Sequence, residues 1–369
     1  MKIVADDRIP FLKGVFEPWA EVVYLPGKAI TPDAVADADA LIVRTRTRCD
    51  RALLENSSIR LVATATIGFD HIDPAGLEAL GISWSNAPGC NADSVKNYIS
   101  SALAAMPGDL ENKTIGIIGA GHVGSRVAVA AAAFGMRVLL NDPPRAEAEG
   151  DEGFTGLDEL LAQSDIVTLH VPLEKGGKYP TVNMADGSFF DRMRPGAWFF
   201  NSCRGEVVDE KPFLQAVANR KIAGALMDVW PGEPVLSAEL LEAVDFGTPH
   251  IAGYSADGKA NGTAAAVQFV AAGLGIGELK NWRPEVLPEP VYAPVIDLTG
   301  VSGRSAALKK AVLHAYDIRQ DAASLRRAPE NFENLRGSYW CRREFSAYTV
   351  CNAPVEAVDG LEKLGFNVK

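Results

Sequence analysis

The most diagnostic segment of this 369-residue chain is Ile115-Gly116-Ile117-Ile118-Gly119-Ala120-Gly121-His122-Val123-Gly124. Its apolar start is typical of a buried parallel strand, and the strand breaks into the spacing Gly-x-Gly-x-x-Gly. Gly119 permits a tight turn, Gly121 lets main chain approach a pyrophosphate, and Gly124 lets a helix pack close to the strand. The Ala- and Val-rich helix predicted at 125–134 offers free N–H groups and a positive dipole end to a phosphate.

The residues that follow support a dinucleotide site. Gly135 is predicted to end the helix, and a second strand is predicted at 136–141, directly before Asp142. An acid about 20 residues beyond such a turn accepts both ribose hydroxyls of the adenosine and repels a 2′-phosphate. Asp142 therefore favours NAD over NADP, whereas Arg145 keeps NADP open as an alternative.

The composition is that of a globular protein of two or three domains. Hydrophobic residues make up 47% and charged residues 22% of the sequence, which is an ordinary balance. The net charge of −11 argues against a nucleic-acid partner. The sequence contains no apolar run of the ~18 residues that a membrane span needs, so no membrane partner is expected.

The cysteines and the N-terminus indicate a reducing cytoplasm. The five cysteines are scattered, and no pair has the spacing of metal ligands, so neither a bound metal nor a disulfide framework is expected. The first residues, Met1-Lys2-Ile3-Val4, are predicted to form a strand and lack the features of a secretory signal peptide.

Short apolar strands alternate with helical patterns, which predicts an α/β fold with parallel sheets. Early strands are predicted at 2–5, 20–24, 40–44, 61–65 and 82–84, with helices at 33–38, 50–55, 74–80 and 91–106. Later strands are predicted at 165–171, 197–201 and 222–228, with a helix at 258–279 that returns to the first domain. A Pro-rich linker then leads to a small α+β module with aromatic strands at 339–340 and 345–350.

We therefore expect two Rossmann-like parallel-sheet domains, the first of them discontinuous, and a small α+β C-terminal domain. The predicted boundaries are 1–95 with 256–284 for the substrate-binding domain, 96–255 for the NAD-binding domain and 285–369 for the C-terminal domain.

Three loops at predicted strand ends carry residues suited to oxidising a hydroxy acid. They contain Arg204, Glu233 and His250, and ligands of open parallel sheets bind beyond the carboxyl ends of the strands. His250 can take and return a proton near neutral pH. Glu233 can bond its other ring nitrogen and fix the tautomer, and Arg204 can grip a carboxylate and polarise an oxygen.

With the glycine turn, these loops resemble the D-2-hydroxyacid dehydrogenase family, whose signature is this Arg, Glu and His in this order. Further matching segments are 65–73, 86–92, 141–145, 249–254, 316–319 and 342–345, and the resemblance covers nearly the whole chain. It implies that Arg204, Glu233 and His250 are catalytic. It also implies that the C-terminal domain forms a homodimer. The cofactor contacts that we predict are Gly119, Gly121, His122, Val123, Gly124, Asp142, Val171, Asp228 and Gly253.

The substrate is expected to be a phosphorylated hydroxy acid. Arg44, Arg46 and Arg48 alternate in sequence, and in an extended segment they would share one face and attract an anion. Arg44 or Arg46 is the candidate for the phosphate. The resemblance adds Thr45, Thr66 and Tyr254 as substrate contacts, and Gly68 as a donor of a main-chain N–H group.

The resemblance is greatest to members that oxidise 4-phosphoerythronate to 2-oxo-3-hydroxy-4-phosphobutanoate with NAD in vitamin B6 synthesis. One alternative is another D-2-hydroxyacid dehydrogenase, acting on glycerate or 3-phosphoglycerate. An alternative of a different class is an NAD-sensing binding protein resembling the co-repressors built on this fold.

Overall fold

A computed structural model describes residues 1–339 and 342–369. The chain forms two compact units. The first unit comprises Met1–Asn91 and Ser255–Glu289, and the second comprises Ala92–Tyr254 and Pro290–Lys369. The division into three domains, with a separate C-terminal domain, stays a prediction.

The strands, in chain order, are β1 (Lys2–Asp6), β2 (Glu21–Leu25), β3 (Ala40–Val43), β4 (Leu61–Thr64), β5 (Ser83–Ser85), β6 (Thr114–Ile118), β7 (Arg137–Asn141), β8 (Ile166–Leu169), β9 (Ala197–Asn201), β10 (Ile222–Met227), β11 (Phe246–Gly247), β12 (Val295–Asp297), β13 (Thr349–Cys351) and β14 (Asn367–Val368). The helices are α1 (Pro32–Val35), α2 (Arg51–Leu54), α3 (Pro74–Ala79), α4 (Ala92–Ala105), α5 (His122–Ala133), α6 (Pro143–Glu149), α7 (Leu157–Gln163), α8 (Gly187–Arg192), α9 (Glu210–Ala218), α10 (Ala238–Glu242), α11 (Ala256–Leu274), α12 (Arg304–Ala315), α13 (Ile318–Arg327), α14 (Phe332–Gly337) and α15 (Val355–Leu364).

The first unit is built on a parallel sheet with the strand order β2-β1-β3-β4-β5. Strands β3 and β4 are buried along their whole length, as expected where helices cover both faces of a parallel sheet. Helix α11 approaches the end of β4 closely, since a Cβ at Gly262 would lie 2.5 Å from the carbonyl oxygen of Ala65. All five predicted strands of this unit are present, with ends within one residue.

The second unit contains a six-stranded parallel sheet of order β11-β10-β9-β8-β6-β7. The chain moves from β6 to β7 on one side and returns to β8 on the other, so the order reverses beside β6. Open parallel sheets bind ligands at such a reversal, outside the carboxyl ends of the strands. The last residues of the six strands are paired in register in a single row, formed by Asn141, Ile118, Leu169, Asn201, Met227 and Gly247.

A third, small parallel sheet of order β12-β13-β14 lies in the C-terminal part of this unit. Its helices α12 and α15 pack against α4 and α5, and one apolar core contains Val127 of α5 together with Leu308 and Leu361. Arg304 of α12 also donates a 2.7 Å hydrogen bond to the carbonyl oxygen of Ala133. The C-terminal segment is thus packed onto the sheet that carries the glycine turn.

The structure confirms the predicted fold class and corrects several element boundaries. Helix α5 begins at His122 rather than at residue 125, because Gly121 is already its extended N-cap residue. The helix predicted at 258–279 ends at Leu274, where Gly275 adopts the left-handed conformation (φ +74°) that ends many helices.

The strand predicted at 345–350 is also wrong in its first half. Residues Phe345–Ala347 form a 3-10 helix, and only then does β13 begin at Thr349. Of the strand predicted at 339–340, Trp340 lies outside the described residues.

Candidate active site

The glycine turn after β6 has the geometry of a phosphate-binding loop. Gly119 has φ +89°, a left-handed conformation that suits glycine. A Cβ at Gly124 would lie 1.9 Å from the carbonyl oxygen of Gly119, so no larger residue fits there, whereas a Cβ at Gly121 would meet nothing within 4 Å. The N-terminus of α5 therefore faces open space beside Gly121, and His122 and Val123 form its first turn.

Asp142 directly follows β7 and caps helix α6. Its carboxylate accepts hydrogen bonds from the amides of Ala120, at 2.8 Å, and Arg145, at 3.1 Å, which fixes it beside the glycine turn. Each oxygen has a second lone pair that a ribose hydroxyl can use. The Arg145 guanidinium forms a bidentate pair with Glu149 and bonds the Ala120 carbonyl oxygen, so Glu149 already neutralises the cation that a 2′-phosphate would need.

Val171 lies on the opposite side of the turn. It follows β8, and its Cγ1 is 3.0 Å from the position of a Cβ at Gly119. The glycine turn, Asp142 and Val171 thus lie around the carboxyl ends of β6, β7 and β8. The open N-terminus of α5 lies between them. This arrangement fits a dinucleotide, whose pyrophosphate would lie at α5 and whose adenosine ribose at Asp142.

Arg204 lies in the loop after β9. Asn201 shapes this loop, since its side chain donates to the Arg204 carbonyl oxygen at 2.9 Å and accepts from the Cys203 amide at 3.1 Å. A Cβ at Gly205 would lie only 2.1 Å from the carbonyl carbon of Trp230. Glycine at this position therefore lets the Arg204 loop pass directly against the loop that carries Glu233.

Glu233 and His250 form a hydrogen-bonded pair. The distance from His250 Nδ1 to Glu233 Oε2 is 2.8 Å, and Glu233 Oε1 accepts from the Trp230 amide at 2.9 Å. Burial raises the pKa of Glu233, but the His250 ring, the Trp230 amide and Arg336 lower it by more, so the carboxyl ionises more readily than usual. A carboxylate only accepts hydrogen bonds, so Nδ1 carries a proton and the lone pair of neutral His250 lies on Nε2.

Asp228 holds the main chain around His250 in place. Its buried carboxylate accepts hydrogen bonds from the Thr248 hydroxyl at 2.6 Å and from the amides of Ile251 and Ala252 at 2.7 and 2.8 Å. Burial raises the pKa of Asp228 against these bonds and the charge of His250. These hydrogen bonds all come from the loop at 248–252, and Asp228 directly follows β10, so its contact with the cofactor stays a prediction.

The C-terminal segment contributes two arginines to this region that the sequence analysis did not select as site residues. Arg336 of α14 places Nη1 3.6 Å from Glu233 Oε2 and hydrogen-bonds the side chain of Tyr254. Arg342, which is 1% exposed, donates to the carbonyl oxygens of Ile251 and Ala252 and stacks on the Tyr316 ring. Arg342 falls within a segment, 342–345, that marked the family resemblance, whereas nothing in the sequence around Arg336 distinguishes it from a surface residue.

Gly253 lies between these contacts, directly after Ala252, and Tyr254 closes the segment. The Tyr254 ring contacts the Tyr339 ring edge-on, with centroids 6.3 Å apart. The structure thus brings Glu233, His250 and Tyr254 together, and places the Arg204 loop beside them.

The predicted substrate residues of the first unit cluster at the carboxyl ends of β3 and β4. Thr66 bonds the Thr64 hydroxyl at 2.7 Å and donates to the Gly68 carbonyl oxygen at 2.9 Å, while His71 Nε2 bonds Thr64 at 3.1 Å. One consistent direction of donation runs from His71 through both threonines to Gly68. Burial lowers the pKa of His71, and the charge of Asp70 opposes this effect only in part. The neutral ring is therefore favoured in this series of hydrogen bonds.

The segment with Arg44, Arg46 and Arg48 is not extended, which corrects the premise on which the three arginines are predicted to share one face. Strand β3 ends at Val43, and the chain turns at Thr45 and Arg46. Thr47 in this segment is buried and donates a 2.9 Å hydrogen bond to the Gly27 carbonyl oxygen, which a regular extended strand does not provide for. Arg44 donates to the Arg8 carbonyl oxygen, and Arg48 pairs with Asp50. Thr45 and Arg46 are exposed.

Within residues 1–339 and 342–369, no group of three or more acidic, histidine or cysteine side chains could hold a metal ion. Across the same residues, no helix has the length and apolarity needed to cross a bilayer.

Comparison with known proteins identifies the family. The profile of the D-isomer specific 2-hydroxyacid dehydrogenase NAD-binding domain matches residues 90–252, and a domain of unknown function, DUF3410, matches residues 286–365. Erythronate-4-phosphate dehydrogenase of Bacteroides thetaiotaomicron is 47% identical over 95% of this chain and 99% of its own length. The enzyme of the same name from Escherichia coli O1:K1 / APEC is 42% identical over 100% and 98%.

Among solved structures, D-lactate dehydrogenase from Aquifex aeolicus, complexed with NAD and lactic acid, matches with a TM-score of 0.63 and 25% identity. That match covers 76% of this chain and 97% of the Aquifex chain. The fold, the NAD-binding domain and the relatives matched along the full chain agree with one another. The chain belongs to the D-isomer specific 2-hydroxyacid dehydrogenases and is an NAD-dependent dehydrogenase.

Proposed function

We propose that this enzyme oxidises 4-phospho-D-erythronate at C2 to (R)-3-hydroxy-2-oxo-4-phosphooxybutanoate, in the synthesis of pyridoxal 5′-phosphate. The observation that carries the proposal is the identity of 42 to 47% with erythronate-4-phosphate dehydrogenases over nearly the whole chain, including the segment beyond residue 285. That segment supplies Arg336 and Arg342 to the site region.

The acid–base work falls to His250. Its Nε2 lone pair accepts the proton of the C2 hydroxyl, because Nδ1 donates to Glu233. The imidazolium that results is stabilised by the Glu233 carboxylate 2.8 Å away. In the reverse direction the same nitrogen returns the proton to the carbonyl oxygen.

Arg204 binds the substrate carboxylate and polarises the C2 oxygen. Its planar cation can form two parallel hydrogen bonds with a carboxylate, and its loop lies against the Glu233 loop at Gly205 and Trp230. When bound, NAD accepts the hydride that leaves C2. Gly119, Gly121, His122, Val123, Gly124, Asp142, Val171, Asp228 and Gly253 are the residues proposed to hold it.

The remaining substrate contacts come from Arg44, Thr45, Arg46, Thr66, Gly68 and Tyr254. The exposed Thr45 and Arg46 suit the phosphate end, since their turn leaves both side chains accessible. Thr66 and Gly68 form one hydrogen-bonded loop after β4. A main-chain N–H group at Gly68 suits a carboxylate oxygen.

We also propose a homodimer formed through residues 285–369 and a cytoplasmic location. Exposed valines of this segment support the dimer, Val291, Val295 and Val355 being 67%, 56% and 88% accessible. Among the described residues, Cys49, Cys203 and Cys351 are free thiols, as a reducing compartment favours. Sedimentation velocity tests the assembly, and a single monomeric species would exclude the dimer.

A substrate panel tests the activity. The purified protein is assayed with NAD and with NADP against 4-phosphoerythronate, D-erythronate, D-glycerate and 3-phosphoglycerate, with a coupled step that removes the 2-oxo product. We expect NAD to be preferred, and kcat/KM for 4-phosphoerythronate to exceed that for unphosphorylated erythronate by about 100-fold, since a truncated substrate loses the binding energy of its remote phosphate. Equal or higher kcat/KM with glycerate or 3-phosphoglycerate would exclude the proposed substrate, and absence of turnover with all four would favour a binding protein.

A further inference from the structure

The segment of residues 286–365 matches a domain whose function is unknown, and it carries a cation into the acid–base site. That cation is Arg336, on the short helix α14. Its side chain is 20% exposed, close to the 18% of Glu233 and the 27% of His250. All three side chains are therefore mostly shielded from water, where electrostatic interactions are stronger than at an open surface.

Helix α14 is firmly anchored. Phe332 is 1% exposed and belongs to the same apolar core as Trp230, and Leu335 packs against that core. Trp230 in turn donates its amide to Glu233 and its indole N–H to the Thr248 carbonyl oxygen at 2.9 Å. The helix that carries Arg336 and the loops that carry Glu233 and His250 are thus built on one core.

The contacts of Arg336 converge on two proposed site residues. Its Nη1 lies 3.6 Å from Glu233 Oε2, the oxygen that His250 Nδ1 bonds at 2.8 Å. The guanidinium also hydrogen-bonds the Tyr254 side chain. One planar cation therefore contacts both Glu233, the hydrogen-bond partner of His250, and Tyr254, which lies four residues beyond His250 in sequence.

We infer that Arg336 is a positioning residue, which fixes the Glu233 carboxylate against His250 and the Tyr254 hydroxyl beside it. The inference rests on the proposed role of His250 as the base. A carboxylate held at one oxygen by Trp230 and at the other by Arg336 cannot rotate away when His250 becomes an imidazolium. The domain of unknown function would thereby complete the acid–base site of its own chain.

The charge of Arg336 has a second consequence. Among the described residues, the Glu233 carboxylate hydrogen-bonds His250 and the buried Asp228 carboxylate interacts with it through its charge. Arg336 offsets part of this negative charge, because it pairs with the oxygen that His250 shares. Removal of the cation should therefore favour the protonated imidazole and move its titration to higher pH.

A titration without substrate tests the inference independently of the proposed function. The protein has five histidines, and the His250 signal in a spectrum of ring-labelled histidine is assigned by its loss in His250→Asn. In Arg336→Gln we expect the His250 signal to titrate about one pH unit higher than in the wild type. Arg336→Lys keeps the charge and should titrate near the wild-type midpoint. Arg327→Met, which alters an exposed arginine of α13, is the matched control and should change nothing.

Kinetics supply the second readout. In Arg336→Gln, kcat/KM should fall about ten-fold near neutral pH, and the acid limb of the pH–rate profile should move to higher pH with the titration. Arg336→Lys should return the acid limb to its wild-type pH but restore only part of kcat, because an ammonium lacks the planar, paired N–H donors of a guanidinium. In an enzyme that already carries Glu233→Gln, the further change Arg336→Gln should no longer move the acid limb of the pH–rate profile.

An equal loss of activity at every pH, with an unmoved His250 titration in Arg336→Gln, would overturn the inference and leave a structural role. If Arg336→Gln does not fold, a shifted His250 titration in the folded Arg336→Lys would overturn the role of the charge. A wild-type protein inactive with every hydroxy acid would contradict the proposed function alone, since the titration does not depend on turnover.

Discussion

Arg342 donates a 2.6 Å hydrogen bond from Nη2 to the carbonyl oxygen of Ala252, two residues beyond His250. The amide of Ala252 simultaneously donates to the Asp228 carboxylate. The buried Arg342 guanidinium thus binds the carbonyl oxygen of Ala252, and the buried Asp228 carboxylate binds its amide. His250 itself has φ +57°, an uncommon conformation for a non-glycine residue, and the fixed main chain after it maintains that orientation.

Replacement of Arg342 should destabilise the second unit. Arg342→Met leaves the carbonyl oxygens of Ser94, Ile251 and Ala252 without their buried donor, and we expect a loss of about 3 kcal/mol in the free energy of unfolding. Urea denaturation measures the change. Arg319→Met, which removes an exposed pair with Asp317, should cost at most about 0.5 kcal/mol. Equal stability of the two variants would show that the buried guanidinium contributes little.

The glycine turn offers a matched pair of substitutions. Gly124→Ala places a methyl group 1.9 Å from the Gly119 oxygen and should destabilise the protein by about 2 kcal/mol or more. Gly121→Ala meets open space, so the fold should be retained, while the methyl group weakens NAD binding by about ten-fold where the pyrophosphate approaches. Thermal unfolding and calorimetric titration with NAD separate the two effects. Unaltered NAD affinity in Gly121→Ala would contradict the proposed pyrophosphate site.

The hydrogen-bonded hydroxyls of Thr64 and Thr66 in the first unit should affect substrate binding rather than cofactor binding. Thr66→Val removes the bonds to Thr64 and to the Gly68 carbonyl oxygen without changing the size of the side chain greatly. We expect KM for the hydroxy acid to rise about ten-fold, with NAD affinity unchanged. Steady-state kinetics with varied substrate measure this. A normal KM would remove Thr66 from the proposed substrate site.

Stability at acidic pH should depend on His170. Burial lowers the pKa of His170 to about 3, and its Nε2 bonds Thr168 at 3.0 Å. Between pH 6.5, the ordinary histidine value, and about pH 3, the unfolded chain binds a proton that the folded protein excludes, so stability falls as the pH falls. His170→Gln should lessen this dependence by up to about 1.4 kcal/mol per pH unit. Unfolding curves measured from pH 7 to pH 4 test this, and parallel slopes for both proteins would contradict it.

The parts of the site that could be predicted from sequence are those that depend on local backbone chemistry. The glycine turn and Asp142 follow from strand, turn and helix patterns within one βαβ unit, and the structure has them in the predicted order. The start of α5 was missed by three residues, because Gly121 caps the helix with its own extended backbone rather than through a side chain.

The parts that could not be predicted depend on distant packing. Arg44 to Arg48 follow a strand, yet the chain turns at Thr45 and Arg46, and the buried Thr47 bonds Gly27, twenty residues away in sequence. Arg336 lies near Glu233 on a helix whose Phe332 enters the core that contains Trp230. A polar residue on a six-residue helix has no periodic signal of its own, so only the folded structure connects it to the site.

The central claim is that His250 moves the proton, and the most direct measurement is the single-turnover rate of His250→Gln beside its NAD affinity. We predict that the single-turnover rate falls by about 1,000-fold while NAD binding, measured by calorimetry, stays as in the wild type. His314→Gln, a histidine whose Nε2 bonds the Ala293 carbonyl oxygen, should retain full activity. A His250→Gln enzyme that oxidises its substrate at the wild-type rate would contradict the account.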